Sequence, residues 1–262
     1  MHPMVNIAVR AARAAGNVIV RNIDRLDRVR VESKGRYDFV TDIDRQAESV
    51  ILDVLHRAYP RHAILAEESG AAYNGGGEAE YTWIVDPLDG TANFLHGFPQ
   101  VGVSIALQHQ GQLTAAVVYD PLRQELFTAA RGSGAQLDGR RIRVTPRRGL
   151  EGALIGTGFP FKNQQLMPRY LQMFATVAER AEDMRRAGAA SLDLAYVAAG
   201  RLDGFFELGL KPWDIAAGAL LIQEAGGTVS GLQGDDDYLQ SGDIVAGGLK
   251  VHAGLQRAIG GL

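Results

Sequence analysis

Cysteine is absent from all 262 residues. That removes disulfide scaffolds, thiolate metal sites, iron–sulfur ligation and cysteine nucleophiles from consideration. It fits a reducing setting, and cytoplasmic localisation is the expectation. Long apolar runs are also missing. No stretch approaches the roughly 20 residues that a membrane-spanning helix needs. The first twenty residues carry Arg10 and Arg13 inside an alternating apolar pattern, which reads as an amphipathic helix and not as a signal peptide. There is no surplus of positive charge: the formal net charge is -3, so nonspecific nucleic-acid binding is not indicated. No GxxxxGK[ST] segment occurs, which leaves nucleoside-triphosphate chemistry of that type unsupported.

What is present is an ordinary globular mixture, 46% hydrophobic and 22% charged. The length suits one large domain or two closely joined ones. Residues 4–22 read as a helix, followed by a short strand over Val29–Val31 and a polar loop over Glu32–Tyr37. Thr41 or Asp42 caps a second helix that runs to about Ala58. "AILAEES" starts as a strand and turns polar at Glu67; residues 71–80 read as an exposed glycine-rich loop. "YTWIVDP" is a buried strand ending at Asp86. "VGVSIALQHQGQLTAAVVYDP", "ELFTAA" and "GAQLDGRRIRV" supply hairpin strands. The pattern changes near Arg147, which suggests an N-terminal half, 1–146, of antiparallel sheet and helices, and a C-terminal α/β half, 147–262. In the second half, residues 164–182, "SLDLAYVAAG", "WDIAAGALLIQEAGG" and about 249–259 read as helices; "GALIGTG", "LDGFFEL", "TVS" and "DIVAGG" read as strands. Such alternation implies an α/β protein in layers, with helices covering sheet faces. Asp235–Asp237 reads as a solvated turn.

Chemistry concentrates in "WIVDPLDGTANF", residues 83–94. Two aspartates follow an apolar strand, where an uncompensated carboxylate is costly. Pro87 stiffens the turn between Asp86 and Asp89, and the Leu88 carbonyl lies between them as a further oxygen. Glu67 and Asp214 also stand at element boundaries. Taken alone, Asp214 reads equally as a helix-start residue, and Glu67 equally as half of a surface salt bridge. Convergence of all four in one cleft would make an oxygen-only site suited to Mg²⁺ or Mn²⁺ rather than zinc. Gly90-Thr91 opens a short helix over residues 91–95, whose free N–H groups would attract a phosphate. A metal beside an anion site suits hydrolysis of a phosphate ester by activated water.

With these residues in place, the sequence resembles the inositol monophosphatase family of magnesium-dependent, lithium-sensitive phosphatases. The resemblance rests on "DFVTDID" (38–44), "AEES" (66–69), "WIVDPLDGTANF" (83–94) and "PWDIAAGALLIQEAGG" (212–227), in that order along nearly the whole chain. The opening segment and "RRAGAASLDLAYVAAGRLDGFFELGLKPWD" look closer to its bacterial branch, one member of which also serves ribosomal RNA transcription antitermination. The resemblance implies a layered α-β-α-β-α sandwich, a homodimer, and two or three Mg²⁺ per site. It implies that Glu67, Asp86 and the Leu88 carbonyl hold one ion, that Asp86, Asp89 and Asp214 hold a second, and that a third lies near Glu67. Thr91 and Asp44 would orient and deprotonate the attacking water. The Gly90 and Thr91 N–H groups would bind phosphate, with Asp89 and Asp214 also facing the substrate. Glu207 and the Gly188-Ala189 backbone would contact the polyol. The "ESKGRYD" loop, with Lys34, would lie near the metals. Ala92 departs from the family's usual "DGTTNF" and removes a hydroxyl.

Inositol 1-phosphate is the implied substrate. Another sugar phosphate, fructose 1,6-bisphosphate and a nucleotide 3'-phosphate are the alternatives within the class. Glu207 favours a neutral polyol, although alone it also reads as an edge-of-strand salt bridge. Outside enzymes, the chain reads as an interaction factor of the transcription machinery, in contact with RNA polymerase or an antitermination complex. "MRRAG" at 184–188 then reads as an interface segment or as a solvated turn.

Overall fold

The computed structural model describes residues 2–26, 29–35, 38–72 and 79–262, with the side chains of residues 34, 38, 71 and 72 also outside the description. Two helices open the chain, α1 (Pro3–Asn22) and α2 (Asp42–Ala58). Pro3 suits a first helical turn, where its missing N–H costs nothing. Along α1, Ala8, Ala11, Ala12, Ala15 and Ile19 repeat at three- and four-residue spacing and are buried.

Between these helices lies a hairpin, β1 (Val31–Gly35) and β2 (Asp38–Thr41), paired antiparallel from Val31↔Thr41 onward. This corrects the reading of a strand at Val29–Val31 followed by a loop. "ESKG" has little strand propensity of its own. It is held extended by its pairing to "DFVT" and by Arg45, which grips Glu32 with both guanidinium nitrogens. Residues 36–37 and the Lys34 side chain, part of the expected loop near the metals, lie outside the described residues.

An eight-stranded sheet follows. Its strands are β3 (Ala63–Ala66), β4 (Gly70–Ala72), β5 (Tyr81–Asp89), β6 (Gly102–His109), β7 (Gln112–Asp120), β8 (Glu125–Ala130), β9 (Gly134–Leu137) and β10 (Arg140–Arg141), in spatial order β10-β9-β8-β7-β6-β5-β3-β4. Residues 70–72 are therefore strand, and 73–78 of the expected loop lie outside the described residues. β3 and β5 run parallel with Ala66 opposite Val85, so Glu67 emerges beside Asp86.

The second half contributes β11 (Leu154–Thr157), a 3₁₀ turn (Gln164–Leu166), α4 (Met167–Ala178), β12 (Asp183–Arg185), α5 (Ala190–Ala198), β13 (Gly204–Glu207), α6 (Pro212–Glu224), β14 (Thr228–Ser230), α7 (Tyr238–Ser241), β15 (Ile244–Gly247) and α8 (Leu249–Ile259); the short α3 (Thr91–Leu95) follows β5. Its five strands lie in order β12-β11-β13-β15-β14. The helix read over 164–182 is shorter than expected, and residues 183–185 form an edge strand parallel to β11. Met184 and Arg185, read as part of a turn or interface, belong to that strand.

Strand periodicity divides the side chains among three cores. In β5, Trp83 and Val85 face α1 and α2, whereas Ile84 faces α5 and α6. In β13, Phe205 points inward to α5 and α6, and Phe206 outward to α4 and α8. The stack is thus α1/α2, eight-stranded sheet, α5/α6, five-stranded sheet, α4/α8, the expected α-β-α-β-α sandwich. The middle helices touch sheets on both sides, and "IAAGALLI" in α6 is buried throughout. Among the described residues no helix is long and apolar enough to cross a membrane.

The α5–α6 contact is close at Gly218, where an added Cβ would lie 2.4 Å from Leu194 Cβ. Alanine favours a helix over glycine by up to about 1 kcal/mol. A methyl wedged between two buried helices costs roughly 1–3 kcal/mol. Gly218→Ala is therefore expected to lower stability in denaturant titration, and an unchanged or raised midpoint would refute the close-packing account.

Candidate active site

The strand β5 does not end at Asp86. It continues to Asp89 through a register shift: Asp86 faces Ser104 and Asp89 faces Gly102, so one extra residue is accommodated. Pro87 has no N–H to offer the ladder. The Leu88 N–H turns back to Asp86 Oδ1 at 3.0 Å. This bulge lets both aspartates project at the same end of the sheet. Pro212 starts α6, and Asp214 reaches back with Oδ2 to the Lys211 N–H at 2.7 Å. The helix-start and cluster roles of Asp214 are thus compatible.

One oxygen each from Asp86, Asp89 and Asp214 lie within 4.8 Å of one another. Glu67, whose N–H donates to the Val85 carbonyl at 3.1 Å, adjoins the group through its carboxyl contact with Asp86. Asp86 is 1% exposed. Burial pushes its pKa well up, and repulsion by Glu67, Asp89 and Asp214 adds to the shift. Asp89 is pushed up to about 6 by burial, against hydrogen bonds from Ser191 that lower it. Asp214 is pushed up to about 7 by burial and by Asp89, opposed by the Lys211 N–H and by the charges of Lys162 and Lys211. At Asp86, burial and the three neighbouring carboxyls disfavour the charged form, while the Leu88 N–H that its Oδ1 accepts favours it. An oxygen-only donor set whose most buried member is repelled by three neighbouring carboxyls fits a hard divalent ion such as Mg²⁺.

Next to this cluster stands a hydrogen-bonded pair. Thr91 Oγ1 donates to Asp44 Oδ1 at 2.9 Å and lies 3.3 Å from the Leu88 carbonyl. Asp44 is fixed from the other side: its Oδ2 accepts the Thr41 N–H at 2.8 Å and the Thr41 hydroxyl, closing a capping box on α2. Burial raises the Asp44 pKa, against the hydrogen bonds from Thr41 and Thr91.

Gly90 takes φ +92° at the start of α3, and a Cβ there would lie 2.8 Å from the Gln100 carbonyl and 3.3 Å from that of Gly188. Gly188 and Ala189 therefore pack directly against the Gly90–Thr91 turn. Glu207, at the end of β13, sits against Gly158. Its pKa is raised well above normal by burial, with repulsion from Asp214, Asp193 and Asp89 and an opposing pull from Arg186. The fold thus groups Asp44, Glu67, Asp86, Leu88, Asp89, Thr91 and Asp214, with Gly90 packed on Gly188 and Ala189 and with Glu207 repelled by Asp214 and Asp89. Ala92 is exposed on α3.

Two contacts escaped sequence reasoning. The Ser191 N–H and hydroxyl both donate to Asp89 Oδ2, at 2.7 and 2.6 Å. Asn93 Nδ2 reaches the carbonyls of Gln100, Ala187 and Gly188 at 2.8, 3.0 and 3.2 Å, tying α3 to the Gly188 segment. Asn93 stood inside the quoted motif and was the available signal. Ser191 had none.

The raised carboxyl pKa values have a consequence for the metal-free protein. A carboxyl whose folded pKa exceeds its unfolded value, about 3.9 for Asp, favours folding at low pH. That contribution is lost as pH rises through the folded pKa. In EDTA, Asp214→Asn should therefore gain thermal stability relative to the wild type between about pH 4 and pH 7, the window between the unfolded value and a folded pKa pushed up to about 7. A gap in Tm that stays constant over this range would contradict the electrostatic reading.

A family model described as "Inositol monophosphatase family" matches residues 1–260. The chain is 55% identical over 261 residues to "Nus factor SuhB" of Pseudomonas aeruginosa, covering 99% of this chain and 96% of that one. It superposes on the crystal structure of extragenic suppressor protein suhB from Bartonella henselae with a TM-score of 0.94 at 44% identity, each covered to 98%. It also superposes on inositol monophosphatase from Anabaena with a TM-score of 0.84 at 36% identity, covering 97% of this chain and 94% of that one. With the acidic cluster, the Thr91–Asp44 pair and the sandwich already in place, the full-length match shows that this chain belongs to the inositol monophosphatase family.

Proposed function

We propose that the protein is a magnesium-dependent phosphomonoesterase that hydrolyses inositol 1-phosphate to inositol and phosphate. The convergence of Asp86, Asp89 and Asp214 beside the Thr91–Asp44 pair carries this reading. Glu67, Asp86 and the Leu88 carbonyl would hold one Mg²⁺, and Asp86, Asp89 and Asp214 a second. Bound there, Mg²⁺ supplies Lewis-acid charge to phosphoryl oxygens and to water.

The chain's own groups supply the rest. Thr91 Oγ1 spends its proton on Asp44, so its lone pairs are free to accept a hydrogen bond from the attacking water. Asp44, raised in pKa by burial, is placed to take the proton through Thr91. The Gly90 and Thr91 N–H groups would hold the phosphate. Gly188, Ala189 and Glu207 would face the polyol. The Glu207 carboxyl can pair with a hydroxyl in either protonation state and offers no positive charge to a second phosphoryl group.

Asp89→Asn, D89N, is expected to slow phosphate release on the order of a hundredfold or more while leaving the circular dichroism spectrum unchanged. Near-normal turnover at saturating Mg²⁺ would sink the assignment. Across inositol 1-phosphate, fructose 1,6-bisphosphate and a nucleotide 3'-phosphate, inositol 1-phosphate should turn over fastest, with inhibition by added lithium. Faster turnover of a bisphosphate would move the substrate assignment elsewhere in the class.

A second reading stands beside the first, because a fold may keep a working site and also gain a partner surface. The name "Nus factor SuhB", carried by relatives at 52% and 55% identity, supports a role in transcription antitermination with RNA polymerase as partner. Affinity capture from cytoplasm should then recover transcription components. Unchanged ribosomal RNA synthesis after deletion would remove this role.

A further inference from the structure

Helix α2 carries a second buried carboxylate one turn after Asp44. Glu48 is 4% exposed, and at a spacing of four residues it lies on the same face of the helix. Its two oxygens go to different places on one turn. Oε2 accepts the Glu68 N–H at 2.9 Å, and Oε1 accepts the Ser69 N–H at 3.0 Å. That turn follows β3 directly, and Glu67 is its first residue. Glu67 itself is anchored on its other side by its N–H bond to Val85.

We infer that Glu48 is a positioning residue for the metal site: it clamps the Glu68–Ser69 backbone so that Glu67 is held against Asp86. The turn would otherwise be free to swing, since a strand end next to repelling carboxylates gains by moving away. A carboxylate that accepts two backbone N–H groups fixes both the position and the tilt of the peptide planes. α2 then acts as a ruler with two marks. Asp44 sets Thr91, and Glu48, one turn later, sets Glu67.

The inference rests on the reading of Glu67 as a metal ligand, and the test separates the two. Mg²⁺ binding to the full chain is measured by isothermal titration, without substrate. Glu48→Gln keeps the volume and one acceptor but turns an NH₂ toward the other N–H donor. E48Q is expected to bind Mg²⁺ roughly tenfold to a hundredfold more weakly, the range for groups that orient metal ligands. Its Tm in EDTA should change little. E48Q that is folded and binds Mg²⁺ with wild-type affinity overturns the role of Glu48. Wild-type protein that binds no Mg²⁺ overturns the metal-site reading instead. A second measurement needs no variant: in the wild type, Mg²⁺ should slow hydrogen exchange at the Glu68 and Ser69 amides. Exchange at both amides that is unaffected by saturating Mg²⁺ overturns the coupling even if E48Q does not fold.

Discussion

Like charges held together against their own repulsion are the constraint on which the rest of this molecule turns. Asp86 is 1% exposed and is pushed toward its protonated form by burial and by Glu67, Asp89 and Asp214. No isolated loop could keep such a group assembled, because each carboxylate lowers its energy by moving into water. Rigid elements have to do it. Three of the four come from strand ends of one sheet: Glu67 from β3, Asp86 and Asp89 from β5. Asp214 comes from the first turn of α6, which is packed between both sheets.

The parallel pairing of β3 with β5 matters most here. The other neighbouring strands of this sheet pair antiparallel, and antiparallel neighbours present opposite ends. Among the described strands of this sheet, only the β3–β5 pair places two C-terminal ends side by side, which brings Glu67 next to Asp86. The bulge after Asp86 then adds Asp89 at the same edge. Hydrogen bonds between distant segments lock the arrangement. Ser191 holds one oxygen of Asp89 and Asn93 holds the Gly188 segment.

The local parts of the site could be read from residues. "DPLDGT" announced a stiff acidic turn, Thr41 announced a helix cap, and "PWD" announced a helix start. Each signal is contained within a few residues, and the structure forms each locally. The β1–β2 hairpin was missed because "ESKG" owes its strand conformation to its partner and to Arg45. The edge strand β12 is not legible because its three residues alternate exposed, partly buried, exposed over too short a run to set a period. The Ser191–Asp89 bond spans 102 positions, and no pattern in a single sequence encodes a contact of that separation. Glu48 lies between these cases. Its spacing from Asp44 was visible, but its acceptor role depends on a turn twenty residues away.

The Ser191 bond has one more consequence. Asp89 belongs to the sheet of the first half, and the groups that satisfy it belong to a helix of the second. Asp214 likewise arrives from beyond residue 200 to face aspartates before residue 90. Neither half of the polypeptide, emerging alone from the ribosome, holds Asp86, Asp89 and Asp214 together. The acidic cluster is therefore a late product of folding, complete only when α5 and α6 have docked on the first sheet.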